Sequence, residues 1–163
     1  MGDDERMATW RSQQWATNLI MGRFAHDLAA QGLTVETFDV LVHLAWASDG
    51  TLPLRELVAS MVSGYHLSRS GLTRLLDRME RDGLVERSLR RDDRRQFDVA
   101  ITDQGRQVFD RVWPDHVGGI GRYFSAPLTD QDVIALGRVL AKLIRANERP
   151  VNEAPDAGAR SGR

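Results

Sequence analysis

The chain has 163 residues, of which 42% are hydrophobic and 28% charged, with a formal net charge of −1 and no cysteine. Those figures suit one globular domain with room for a full core, and they exclude a disulfide framework, a thiol redox sensor and a thiolate metal site. No apolar run approaches the roughly 20 residues that a membrane span needs, and the polar, acidic start Met1–Arg6 is unlike a signal peptide, so the expectation is a cytoplasmic protein with no membrane partner.

Residues 1–7 read as a disordered N-terminus. From about Met7 to Ala30 the pattern is helical, with Trp15, Leu19, Phe24 and Leu28 as a buried stripe and Gln31-Gly32 as its end. Thr34 is placed to cap a second helix, with Glu36 in its first turn. Phe38, Leu41, Val42, Ala45 and Trp46 give that helix an apolar face, stopped by Asp49-Gly50. Thr51-Leu52-Pro53 reads as a short extended link. A third, short helix runs from Leu54 to about Met61, with Leu54, Leu57, Val58 and Met61 inward, and Val62 to His66 reads as a turn. A fourth helix covers about 68–82: Leu72, Leu75, Leu76 and Met79 recur at i, i+3, i+4, i+7. Ser70, Thr73, Arg74 and Asp77 share a different face, with Arg69 at the start and Arg78 alongside. Gly83 stops it. Leu84–Leu89 and Phe97–Ile101 have strand character, and between them lies Arg90-Arg91-Asp92-Asp93-Arg94-Arg95.

After the hairpin, Thr102 caps a long helix with Asp103 in its first turn. Val108, Phe109, Val112, Trp113, His116, Val117, Ile120 and Phe124 form its apolar stripe. Pro114 inside it predicts a bend near 110–114. Ser125-Ala126-Pro127 breaks the helix, and Thr129-Asp130-Gln131-Asp132 fits a capping box. The last helix ends near Asn147, with Val133, Leu136, Val139, Leu140, Leu143 and Ile144 inward. Residues 150–163, rich in Pro, Gly, Ala and charge, read as a disordered tail.

The helix and hairpin of residues 67–105 outline a winged helix. Between Arg69 and Arg95 stand nine arginines and six acids, a local charge of +3, whereas the remainder carries −4. The positive charge is therefore gathered where groove contacts belong. Small hydroxyls and guanidiniums near a helix N-terminus are the residue types that reach base edges and phosphates in a major groove. Ser68, Arg69, Ser70, Thr73, Arg74 and Arg78 are thus candidate DNA-binding residues. Arg69 and Ser70 sit where backbone N–H groups and the helix dipole favour a phosphate. Arg74 is the first choice for direct base readout, because arginine is the commonest reader of guanine; a phosphate contact or an ion pair within the protein is its bland alternative.

These residues also carry a family resemblance. Leu67-Ser68-Arg69-Ser70-Gly71-Leu72-Thr73-Arg74-Leu75-Leu76-Asp77-Arg78, then Gly83-Leu84-Val85, then Asp93-Arg94-Arg95 six residues before Ile101-Thr102, then Gly105, resemble the DNA-binding core of the MarR family of bacterial winged helix-turn-helix transcriptional regulators. The one departure is Ile101 for the family's usual leucine. The resemblance extends more loosely over residues 8–147. It implies a mainly α fold with a small β-hairpin wing, ordered α-α-α-α-β-β-α-α. The winged-helix part would lie at about 34–102 and the dimerisation helices at 8–32 and 103–149, in one domain of residues 8–149. It further implies that Arg95 enters the minor groove with Asp93 holding it by an ion pair, while Arg94 flanks the phosphates. In this family the terminal helices interlock around a two-fold axis, which agrees with the apolar surface that the outer helices carry beyond what a small winged helix can cover. The resemblance also implies a crevice for a small aromatic or carboxylate effector. Trp15, His43, Trp46 and Trp113 are its candidate lining, with plain core packing as the alternative.

The expected function is a homodimeric DNA-binding regulator, a repressor that reads a pseudo-palindromic operator through helix 68–82 and wing 90–96. The alternative is a winged-helix protein-interaction module or antirepressor whose arginines are only a solvated face. The four histidines, 26, 43, 66 and 116, make no zinc motif, and no acid/base or nucleophile cluster stands out. The chain is therefore not expected to be an enzyme or to take a cofactor or metal.

Overall fold

The computed structural model describes residues 2–65, 67–90 and 96–147. The chain divides into two compact units, Met1–Phe124 and Ser125–Arg163. The first contains α1 (Asp3–Ala29), α2 (Val35–Trp46), β1 (Thr51–Pro53), α3 (Leu54–Tyr65), α4 (Arg69–Arg81), β2 (Val85–Leu89), β3 (Phe97–Ile101) and α5 (Asp103–Gly119). A π-helical stretch, Ile120–Ser125, follows α5 directly. The second unit contains α6 (Asp130–Asn147). The mainly helical winged-helix class expected from the sequence is the class found.

The core belongs to the winged helix. Phe38, Leu41 and Leu44 of α2, Leu57 and Met61 of α3, and Leu72, Leu75, Leu76 and Met79 of α4 are buried with Val85, Val99, Phe109 and Val112. The α2 stripe reaches further round than the spacing alone predicts, because Val40 and Leu44 are also fully buried while Trp46 is 68% exposed. Thr34 caps α2 by accepting a hydrogen bond from the Thr37 N–H at 3.2 Å. Its partner helix α3 continues through Tyr65, past the expected turn at Val62.

The sheet has three strands in the order β1-β3-β2, all antiparallel. Thr51–Pro53, read from sequence as a link, is a strand: Thr51 lies opposite Ala100, Leu52 opposite Val99 and Pro53 opposite Asp98. Pairing explains it, since an edge strand needs no period of its own and tolerates a proline that donates no ladder bond. At the hairpin base, Gly83 has a φ of 71°, the left-handed turn that ends α4. Thr102 caps α5 through the Gly105 N–H at 3.0 Å and also donates its hydroxyl to the Gly83 carbonyl at 2.6 Å. A Cβ at residue 105 would overlap the Leu84 carbonyl oxygen. The Thr-x-x-Gly spacing thus has a mechanical reason: it docks the start of α5 against the end of α4.

Three further readings change. First, α1 begins at Asp3 rather than near Met7, with Asp3, Asp4 and Glu5 placed to favour the helix N-terminus. Second, its stripe is buried only at Phe24 and Leu28, where α1 packs on α2 and α5. Trp15 is 66% and Leu19 55% exposed, because apolar spacing marks a face without supplying anything to cover it. Third, the helix expected to run to Phe124 is α-helical only to Gly119, with Pro114 inside it, and passes into the π-helical Ile120–Ser125.

In the second unit, Thr129 and Asp132 form the expected capping box: Asp132 accepts from the Thr129 N–H at 3.0 Å, and Thr129 accepts from the Asp132 N–H at 3.3 Å. No residue of α6 is buried. Val133, Val139, Leu143 and Ile144, expected to face inward, are exposed. The C-terminal tail from 150 onward lies outside the described residues.

Candidate nucleic-acid interface

The interface is built on α4. Its apolar side, Leu72, Leu75, Leu76 and Met79, is pressed into the core, so the opposite side must face outward. Ser68, Arg69, Ser70, Thr73, Arg74 and Arg78 are all exposed there. Ser68 is the N-cap: its Oγ accepts the Gly71 N–H at 3.0 Å and lies 3.1 Å from the Ser70 Oγ. The Thr73 hydroxyl donates to the Arg69 carbonyl at 3.0 Å. With its proton spent inside the helix, Thr73 presents a methyl group and an acceptor oxygen, a surface suited to a thymine methyl or a base donor.

The guanidiniums of Arg69, Arg74 and Arg78 form no hydrogen bond or ion pair with any described residue. The bland alternative for Arg74, a pair with Asp77, is not made. Asp77 is taken instead by Arg87 of β2, whose Nη2 lies 2.6 Å from Asp77 Oδ1 and 2.5 Å from Glu80 Oε2. The Arg87 Nε and backbone N–H also donate to Glu80, at 3.0 and 3.1 Å. These hydrogen bonds hold the Glu80 carboxyl below its ordinary range, led by the Arg87 side chain, and hold the Arg87 guanidinium above its own. The consequence is electrostatic as well as mechanical. The two acids of α4 are engaged by Arg87 on the strand side, and the arginines of the outward face keep no counter-ion among the described residues.

Arg87 was not singled out by sequence reasoning. Its role depends on the strand register, Arg87 opposite Val99, which fixes the wing strand against the helix. The same register brings the Arg90 N–H to the Gln96 carbonyl at 3.0 Å, and Arg90 Nη1 lies 3.9 Å from Asp98 Oδ1. The tip residues Asp93, Arg94 and Arg95, expected to contact DNA, lie outside the described residues together with Arg91 and Asp92. So does His66.

The four residues expected around an effector are only partly together. Trp46 and Trp113 meet edge to face, with ring centroids 5.4 Å apart. Trp113 also stacks on Phe109 at 5.3 Å and on His116 at 5.8 Å. Trp15 is elsewhere, in a shallow groove of α1 with Ala8, Arg11 and Ser12. His43 turns its Nδ1 to the Asp39 carbonyl at 2.9 Å within its own helix. A small cavity of about 120 Å³ lies instead against Phe24, Phe38, Asp39 and His116. Burial holds His116 below its ordinary value, with the Asp39 charge opposing. Among the described residues, no group of three His, Asp or Glu side chains is placed to hold a metal ion, and no helix is long and apolar enough to cross a membrane.

Comparison with known proteins points one way. The model of the MarR family matches residues 33–97, which span α2 to the start of β3. The transcriptional repressor MdtR of Bacillus subtilis is 29% identical over 129 residues, covering 79% of each chain. Among solved structures, AbsC, a MarR family transcriptional regulator from Streptomyces coelicolor, superposes with a TM-score of 0.78 at 27% identity, over 90% of this chain and 97% of that one. Sco3205, a MarR family regulator of the same organism solved in complex with DNA, gives 0.83 at 25% identity over 91% of each chain.

Proposed function

We propose that this chain is a member of the MarR family of transcriptional regulators, whose model matches residues 33–97, and that it acts as a homodimeric repressor of nearby genes, reading a pseudo-palindromic operator through α4 and the wing. The observation that carries this reading is the outward face of α4: three arginines without counter-ions among the described residues, beside a wing strand locked to the same helix by Arg87. Ser68, Arg69 and Ser70 take backbone phosphates, while Thr73 and Arg74 reach base edges. Arg78 follows the groove wall. In the wing, Arg95 enters the minor groove, Asp93 holds it and Arg94 meets the flanking phosphate.

A second copy is invoked to cover the apolar surface. On α1, Met7, Trp10, Trp15 and Leu19 are exposed; on α6, Val133, Ile134, Val139, Leu143 and Ile144 are. Such surface is the kind that obligate interfaces bury. Two-fold pairing would set the recognition helices roughly 34 Å apart, on successive major grooves. Curated relatives named as repressors, MdtR among them, support the sign of regulation.

Control by a small aromatic or carboxylate effector completes the proposal. Trp46 and Trp113 offer the stacking surface, with His43 as the outer candidate. Such a ligand would lower operator affinity by its differential binding to two dimer spacings. The test is gel-shift titration of the chain's own upstream DNA, followed by addition of phenolic and carboxylate compounds. Two protomers per duplex and release by at least one compound are expected. Binding to no duplex would leave a protein-interaction module, and failure of every compound to stabilise the protein or release DNA would remove the effector.

A further inference from the structure

We propose that Arg55, at the start of α3, is a further DNA contact: it grips the sugar-phosphate strand that passes between the recognition helix and the wing. The inference rests on the DNA-binding reading above and adds to it a residue from a third element. It begins with the edge strand. β1 runs straight into α3, and Pro53 lies opposite Asp98. The pairing ends there, so the first residues of α3, Leu54 and Arg55, come beside Phe97 and Gln96 at the start of β3. All four of these residues, with Val58 and Arg69, line one cleft of about 430 Å³.

The cleft has an apolar floor of Leu54, Val58 and Phe97, and a polar rim of Arg55, Arg69 and Gln96. Arg69 is the first residue of α4, and Gln96 stands at the base of the wing. Arg55 and Arg69 are exposed, and neither guanidinium forms an ion pair or hydrogen bond with a described residue. Glu56, the adjacent acid, lies about 100° further round the helix and makes no pair with Arg55.

Geometry then decides what enters. If α4 occupies a major groove and the wing the neighbouring minor groove, one backbone strand must run between them, since that strand is what separates the two grooves. The cleft lies between the start of α4 and the base of the wing. Its apolar floor suits sugar faces, and its two guanidiniums suit phosphates on either side. Helix-turn-helix proteins use their first helix in the same sense, to cross the backbone.

Salt dependence reads this directly. Binding of the full chain to its upstream duplex is measured by fluorescence anisotropy between 50 mM and 200 mM salt, for wild type, Arg55→Ala, Arg55→Lys and Arg111→Ala. Arg55→Ala should make the slope of log K against log salt shallower by about 0.9 for each protomer engaged, and should weaken binding roughly fivefold per protomer. Sequence preference should be unchanged, Arg55→Lys should keep the wild-type slope, and Arg111→Ala, an exposed charge on α5, should leave it untouched. Should alanine destabilise α3, Arg55→Gln keeps the aliphatic stem and should give the same shallower slope. A wild-type slope in Arg55→Ala or Arg55→Gln, or an equal loss in Arg111→Ala, overturns the inference while the DNA-binding reading stands. A wild-type protein with no salt-dependent duplex binding overturns both.

Discussion

Helices α4 and α1 are both exposed along much of their length, but what they expose differs in kind. α4 buries its leucines and shows Arg69, Arg74 and Arg78, whose guanidiniums have no partner among the described residues. α1 buries only Phe24 and Leu28, and shows Met7, Trp10, Trp15 and Leu19. An uncompensated cationic face and an uncovered apolar face are both incomplete surfaces, and the chemistry missing from each names a partner. The first wants phosphate and base acceptors. The second wants another apolar surface. Neither can cover the other, because burying unpaired guanidiniums against an apolar face would cost their hydration.

The contrast can be probed by removing each surface in turn. The largest effect is expected beneath α4. Leu76 is fully buried, so Leu76→Ala should cost about 2–5 kcal/mol of unfolding free energy by urea titration, whereas Leu19→Ala on α1 should cost little in an isolated protomer. Next comes the apolar face itself. Leu19→Glu combined with Ile144→Glu would place unpaired carboxylates in the proposed interface, and should raise the dimer dissociation constant at least ~100-fold in sedimentation equilibrium. An unchanged association state would show that these faces do not pair.

On α4, Arg74→Ala should cost about 1–3 kcal/mol of operator affinity and relax preference at one base position, as read from binding to single-substituted duplexes. In the wing, Arg95→Ala should weaken binding at least ~10-fold, about 1.4 kcal/mol; unchanged affinity would contradict its role. The smallest effect belongs to the clamp behind the face. Arg87 lowers the Glu80 carboxyl below its ordinary value of 4.5. The stabilisation from that pair is therefore present above that value and is lost as the pH falls through the lowered one. Glu80→Gln should lose under about 1 kcal/mol at neutral pH, and the gap to wild type should close on acidification.

Much of the recognition unit was legible in the sequence because its signals are local. The leucine spacing from 72 to 79, the Gly83 stop and the Thr102-to-Gly105 step each need only a few consecutive residues. Contacts that depend on register were not legible. Arg87 looks like any strand arginine until β2 is set against α4, and Thr51–Pro53 shows no strand pattern until β3 pairs with it. The α3 boundary failed for a local reason: Gly64 reads as a breaker, yet the helix continues to Tyr65. Trp15 and Trp46 failed for a different one. Periodicity identifies which residues share a face, and both tryptophans were assigned to a core that does not reach them.

The central claim, that the unpaired arginine face of α4 exists to read DNA, is tested most directly by one competition measurement. The full chain is titrated against the inverted repeat from its own upstream region and against a scrambled duplex of equal length, at 0.15 M salt. The account predicts a preference of at least ~1,000-fold for the repeat, lost in large part with Arg74→Ala. Equal affinity for the two duplexes, unaffected by Arg74→Ala, would contradict it.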